Sequence, residues 1–401
     1  MLRHAGNKKR NRLLFAGLAG GALLLFSQPV LCSAQSVEGV PVLAQHAKAA
    51  ILMDAGTGTV FFEKNEHAHL PIASVTKVMT MLLIFDAIAK GQVRFQDAVR
   101  VSDHAASMGG SQIFLKPGES MTLTDLMKGV AMASANDAAV AAAEYVAGSE
   151  ANFVSKMNER ARLLGLRDSR FVNTNGLPAP QHYSSAYDIA VISRELLQHD
   201  GVTRFTGVYS DHLRKHTDHP FWLVNTNKLV HFYQGMDGVK TGYTSDSLFC
   251  LSASAKRGEL RVIAVVLGEP SSAVRNAEVV EMMNYAFSQY SAKTVYHKGQ
   301  VVALAPVEKG EAEAVAAVAS RSLTQLVKKA ETMPMGHVIT ELYPLKAPIH
   351  KGQVVGHAVV IQDGKTVTRV ALYAAANVLP VTWWEMLGRS LHQLFLLGVK
   401  E

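Results

Sequence analysis

The chain has 401 residues, 48% hydrophobic and 18% charged, with a formal charge of +7 and two cysteines. That length fits two domains plus accessory segments, and the composition excludes a disordered, collagen-like or disulfide-dense chain. Five of the cations stand within the first 12 residues, and the remainder carries about +2, so no nucleic-acid partner is expected.

Arg3, Lys8, Lys9, Arg10 and Arg12 precede an apolar stretch from Leu13 to Phe26, followed by Pro29 and the small residues Ser33 and Ala34. This order reads as a secretory signal over 1–34, cleaved near Ala34. The competing reading is a membrane anchor, but 14 residues interrupted by glycine are short for a span. Cys32 follows the bulky Leu31, which argues against a lipoprotein signal. Once Cys32 leaves with the signal, Cys250 has no intramolecular partner. In the run Leu248-Phe249-Cys250-Leu251 it reads as a packed, inert thiol.

Residues 49–63 read as a hairpin turning through Gly56 and Gly58. From Ile72 to Ala89 the pattern is helical and apolar nearly all round, which places that helix in a domain centre. Residues 122–147 are Ala-rich and read as helix, as do Phe153 to Leu164 and about 185–199. Between these lies a polar loop with Asn173, Asn175, Gly176 and Pro178. Residues 237–267 read as an antiparallel meander with buried centres, and Asn276 to Tyr290 as a further helix. Helices set between an early hairpin and a late meander imply an α/β sandwich closed by sequence-distant strands.

After about residue 292 strand-like runs dominate, among them Val301 to Leu304 and Val354 to Ile361. His-Lys-Gly-Gln-Val-Val occurs at 297–302 and again at 350–355, the sign of a two-fold repeat of hairpins in a small β domain. In the last 20 residues Trp383, Trp384, Leu387, Leu391, Leu394, Phe395 and Leu397 recur mostly at three- and four-residue spacing. An amphipathic helix with paired tryptophans suits a membrane interface, here the inner-membrane surface, against the alternative of a helix docked on its own domain.

Three short motifs carry the chemistry: Ser74-Val75-Thr76-Lys77, Ser134-Ala135-Asn136 and Lys240-Thr241-Gly242. Ser74 stands at the expected start of the buried helix, where amides and dipole favour developing negative charge. Lys77 lies one turn on, in an apolar helix that desolvates its ammonium and lowers its pKa. A neutral amine beside a hydroxyl accepts its proton; the alternative is a lysine whose head snorkels to water. Ser134 reads as a proton relay to a leaving amine and Asn136 as a donor to substrate or lysine. The same letters also read as an N-cap for a helix beginning near Ala138. Strand alternation puts Lys240 and Gly242 on one face, with glycine allowing close approach of a peptide.

Singly each motif is weak; together, in this order, 60 and then 106 residues apart, they form the set of penicillin-binding proteins and class A β-lactamases. The chain resembles the low-molecular-mass penicillin-binding proteins of the D-alanyl-D-alanine carboxypeptidase type. The likeness runs from Pro71 to Thr80, through Met157-Asn158, Leu164-Gly165 and Phe171 to Leu177, to Gly235 through Thr244. It implies a β-lactamase/transpeptidase-like α/β domain over 35–292, an antiparallel sheet with a helical subdomain. A small all-β domain over 293–380 and an amphipathic membrane-associating helix over 381–401 follow.

The resemblance further implies an acyl-enzyme on Ser74, formed on peptidoglycan stem peptides with loss of the terminal D-alanine, and β-lactams as acylating inhibitors. The backbone amides of Ser74 and Tyr243 would form the oxyanion hole. Thr241 and Arg275 would hold the terminal carboxylate. No metal or cofactor is expected, and the place of action is the periplasm or the outer face of the cytoplasmic membrane.

A class A β-lactamase needs a Glu-x-x-Leu-Asn loop, and the nearest string, Glu195-Leu196-Leu197-Gln198, lacks the asparagine. A murein endopeptidase and a penicillin-binding scaffold without turnover remain open. A cytosolic glutaminase is disfavoured by the export signal. A metal site on His212, His216 and His219 is disfavoured by Pro220 and the polarity around it, and there is no His-Glu-x-x-His.

Overall fold

The computed structural model describes residues 42–387 apart from 216, 331–335 and 363. The chain divides into two units, Met1–Val42 and Leu43–Glu401, and all that follows belongs to the second. The expected signal over 1–34 lies outside the described residues.

Ala49–Asp54 (β1) is buried at every position, as a strand covered on both faces demands. Its partner Val60–Lys64 (β2) follows a turn fastened by the buried Asp54, whose carboxylate accepts from the Thr57 amide and hydroxyl, each at 2.6 Å. A 3-10 turn, Ala73–Thr76, leads directly into the helix Lys77–Ala89 (α1), nearly all of it buried. The helical layer continues with Leu123–Lys128 (α2), Asn136–Ala147 (α3), Glu150–Leu163 (α4) and Ala186–Leu196 (α5). Thr122, Ser149 and Ser185 cap α2, α4 and α5 by accepting from the amides of Asp125, Asn152 and Asp188.

Met236–Thr244 (β3), Leu248–Arg257 (β4) and Leu260–Glu269 (β5) form the meander, and Ser272–Gln289 (α6) returns across the sheet from a cap on Ser271. The sheet order is β2-β1-β5-β4-β3, so the early hairpin closes onto the late meander through β1 and β5. Strand alternation divides the core. Ile51, Met53, Ile263 and Val265 pack with the helical layer. Leu52, Val262, Ala264 and Val266 pack with Met282 and Met283 of α6.

Helix α6 runs straight into Tyr290–Tyr296 (β6). Val301–Glu308 (β7), Ala314–Ala319 (β8), Leu323–Lys328 (β9), His337–Leu342 (β10), Leu345–Lys346 (β11), Val354–Gln362 (β12) and Lys365–Ala374 (β13) complete the β region. β6 pairs with β9, and a six-stranded sheet has the order β10-β12-β13-β8-β7-β11. The repeated hexapeptide builds the same turn twice. His297 N–H donates to Gln300 Oε1 at 2.9 Å and His350 N–H to Gln353 Oε1 at 3.1 Å. Gly299 N–H reaches Ala319 O at 2.8 Å and Gly352 N–H reaches Ala374 O at 2.9 Å. The hairpins that these turns open, β7-β8 and β12-β13, lie side by side through β8 and β13.

Arg194 of α5 ties this sheet to the first one, donating to Ala55 O at 2.7 Å, Gly56 O at 2.9 Å and Thr368 Oγ1 at 3.3 Å. Of the expected terminal helix over 381–401, the described part is one helical turn at 383–387, with Trp383 and Trp384 exposed. Its remainder lies outside the described residues.

Candidate active site

Ser74 sits in the 3-10 turn and Lys77 is the first residue of α1, fully enclosed. Lys77 Nζ lies 2.9 Å from Ser74 Oγ, 2.6 Å from Asn136 Oδ1 and 2.6 Å from the carbonyl oxygen of Asn175. An ammonium has three N–H donors and no acceptor, and here each donor has a partner. A neutral amine keeps two hydrogens and gains a lone pair. The two oxygens that can only accept take those hydrogens, and the lone pair is left facing the serine hydroxyl. Burial, with the nearby charge of Lys240 adding to it and Asp137 opposing, holds Lys77 well below the ordinary lysine range. The snorkelling alternative fails, because the ammonium does not reach water.

The Ala-rich segment expected as continuous helix over 122–147 is broken. A π-helical turn, Gly129–Ala133, ends at Ser134 in the left-handed region, φ 61° and ψ 26°. Ala135 is extended and α3 begins at Asn136, with no side-chain cap. The N-cap reading of Ser134 and Asn136 is therefore overturned: neither side chain caps the helix, and Asn136 accepts from Lys77 where a donor to the lysine or substrate was expected. Asn136 Nδ2 donates to Gly109 O at 2.7 Å, which fixes the amide with its oxygen on Lys77. The buried Asp137 carboxylate accepts from the amides of Ile113, Leu115 and Ala138. Ser134 is buried beside this cluster, and its hydroxyl has no partner among the described residues.

On β3 the Lys240 ammonium is buried and donates to Thr241 O at 2.9 Å. Burial and the charge of Arg275 bring it down to about 7. Thr241 Oγ1 donates to Thr226 Oγ1 at 2.7 Å. Gly242 lies against the nucleophile turn: a Cβ there would stand 2.7 Å from Ile72 O and 3.1 Å from Val75 N. Tyr243 directs its ring outward, 58% exposed and 4.4 Å from Phe249. Arg275, in the first turn of α6, is buried and donates to Asn276 Oδ1 at 2.9 Å. Its charge reaches Lys240 and Glu269, while Thr241 is bonded elsewhere.

One contributor escapes a reading of side-chain letters. The Asn175 carbonyl holds Lys77, and any residue could supply it. Around it, Asn173 Nδ2 donates to Leu177 O, Gly176 N–H to Asn173 Oδ1, and Leu177 N–H to Asn175 Oδ1. Away from Lys77, Glu269 and Glu278 form a buried pair within reach of the charge of Arg275. Neither oxygen of Glu269, nor Oε2 of Glu278, has a donor, while His46 Nδ1 pairs with Glu278 Oε1 at 2.6 Å. Burial and the neighbouring carboxyl push Glu269 up to about 8, so one proton held between the two acids supplies the missing donor.

Among the described residues no group of three or more His, Cys, Asp or Glu is placed to hold a metal ion. His212 lies in the strand Ser210–Leu213, His219 is exposed, and His216 is outside the described residues. Cys250 is buried and its thiol pushed up to about 11 by burial.

The family model described as D-alanyl-D-alanine carboxypeptidase matches residues 34–271. A second, described as the C-terminal domain of penicillin-binding protein 5, matches 290–379. The chain is 47% identical over 368 residues to the D-alanyl-D-alanine carboxypeptidase DacF of Bacillus subtilis (strain 168), covering 92% of this chain and 94% of that protein. It is 32% identical to the D-alanyl-D-alanine carboxypeptidase DacC of Escherichia coli (strain K12), over 95% of this chain and 97% of that one. The solved structure of penicillin-binding protein 5 from Haemophilus influenzae superposes with a TM-score of 0.65 at 28% identity, covering 85% of this chain and 99% of that chain. These matches span both sheets, and by them the chain belongs to the D-alanyl-D-alanine carboxypeptidase family of low-molecular-mass penicillin-binding proteins.

Proposed function

We propose that this serine-type D-Ala-D-Ala carboxypeptidase works on peptidoglycan stem pentapeptides through an acyl-enzyme on Ser74. The neutral Lys77 amine takes the hydroxyl proton as Oγ bonds to the penultimate D-alanine carbonyl carbon. The backbone amides of Ser74 and Tyr243 receive the oxyanion. The C–N bond then breaks as the proton taken up by Lys77 passes by way of Ser134 to the departing D-alanine amine, which leaves Lys77 neutral again. Water, deprotonated by Lys77, hydrolyses the ester and frees Ser74. Lys240, Thr241 and Arg275 receive the terminal carboxylate, Asn136 orients the amine, and Gly242 lets the peptide lie along β3. β-Lactam binding is typical of the family, and such compounds would acylate the same serine. The observation that carries this reading is the threefold partnering of Lys77 Nζ.

A cavity of about 350 Å³ opens beside Ala73, lined by Gly176, Leu177, Pro178, Thr244 and Asp246. It is large enough for a side chain on the acyl side of the peptide. Mass spectrometry of a pentapeptide incubated with wild type and Ser74→Ala tests the reaction. Loss of one terminal alanine with wild type alone is expected; cleavage between crosslinked stems would reassign the enzyme as an endopeptidase.

We also propose the organisation 1–34 signal, 35–292 peptidase, 293–380 β domain and 381–401 membrane-associating helix. This places the enzyme in the periplasm, peripheral on the cytoplasmic membrane. The cationic, then apolar, start and the exposed Trp383 and Trp384 support it. No helix among the described residues is long and apolar enough to cross a membrane. Truncation after Pro380 should move the protein to the soluble fraction, and unchanged partition would defeat the attachment.

A further inference from the structure

His182 is buried, 8% exposed, and both ring nitrogens are engaged. Nδ1 lies 3.0 Å from the amide of Val172, which can only donate. Nδ1 is therefore the acceptor, the hydrogen sits on Nε2, and Nε2 donates to Thr76 Oγ1 at 2.7 Å. Burial brings this imidazole down to about 4, so it is neutral near pH 7. Thr76 stands between Ser74 and Lys77, while Val172 and His182 bracket the loop that carries Asn175.

Three further contacts hold that loop together and set it against α1 and the catalytic turn. Thr80 of α1 donates to Thr174 O at 2.6 Å. Arg170 and Tyr183 close its base with paired backbone bonds of 2.9 and 3.1 Å. A Cβ on Gly176 would stand 1.9 Å from Ala73 O, so loop and turn are in direct contact.

We propose that His182 is a positioning residue for the catalytic amine: joining Val172 N–H to Thr76 Oγ1, it clamps the 172–182 loop on the nucleophile turn and keeps the Asn175 carbonyl on Lys77. The ring touches no reacting atom and acts through Asn175. The inference rests on Lys77 being the base of Ser74, and loss of acylation in Lys77→Ala, with initial penicillin binding kept, checks that foundation separately.

Stopped-flow acylation by a fluorescent penicillin resolves initial binding from the acylation step. His182→Ala and Thr76→Val should each slow acylation about 10²-fold, the scale of a 1 Å misplacement, with initial binding within a few-fold of wild type. His182→Gln, which keeps a donor toward Thr76, should recover most of the rate. Circular dichroism and melting confirm folding, and if His182→Ala does not fold, Thr76→Val alone decides. Acylation within about threefold of wild type in the folded variants overturns the proposal, and so does a loss confined to initial binding.

Discussion

Asn136 faces Lys77 with its oxygen, at 2.6 Å, because its nitrogen is spent on Gly109 O at 2.7 Å. The amide cannot flip without losing both bonds. Asn136→Asp places a negative charge on the amine, and an opposite charge favours the ammonium. The pKa of Lys77 then rises, and the base is available only at higher pH. The acid limb of penicillin acylation should move upward by about one to three pH units. An unmoved limb would show that Lys77 is not the titrating base.

Gly242 is fixed by lack of room. A methyl 2.7 Å from Ile72 O must push β3 off the nucleophile turn, or the turn off β3. Gly242→Ala should lower stability by about 1–3 kcal/mol in thermal melting. Acylation should fall disproportionately, because both candidate oxyanion donors sit on the two segments forced apart. Melting and acylation that both match wild type would refute the contact.

Glu269 gives stability a pH dependence of definite sign. Its folded pKa, about 8, lies above the ordinary 4.5, so the native state holds the proton more tightly. The contribution is complete below about 4.5 and disappears as pH rises through about 8. Glu269→Gln carries a permanently neutral group. Its melting temperature should gain on wild type steadily over that window, and parallel curves would remove the shared proton.

Among the described residues no carboxylate hydrogen-bonds Ser74 or Lys77. In the proposed mechanism the base for deacylation is Lys77, with no carboxylate beside it to activate water. A penicilloyl adduct should survive on wild type through desalting and appear in the intact mass, absent from Ser74→Ala. Hydrolysed penicillin accumulating in fast, large excess over enzyme would point to a second base.

The first sheet was legible because hairpin and meander are local patterns, and one hydrophobic period decided each strand. The break at Ser134 was not, because Ala-rich composition favours continuous helix and Ser and Asn both cap helices. What diverts the chain is tertiary: the Asp137 carboxylate binds the amides of Ile113 and Leu115, and Asn136 is drawn to Lys77. His182 had no spacing to mark it, since its partners are a backbone amide and a threonine hydroxyl. Asn175 acts by its main chain, which no letter encodes.

The twin turns at Gly299 and Gly352 have positive φ, 78° and 84°, and a Cβ at either would meet nothing within 4 Å. Replacing either by alanine therefore isolates the steric cost of a left-handed backbone, about 1–2 kcal/mol, from any packing loss. The molecule thus holds a duplicate measurement within itself. Where two such replacements differ, the gap reports how strongly each half of the β region is coupled to its surroundings.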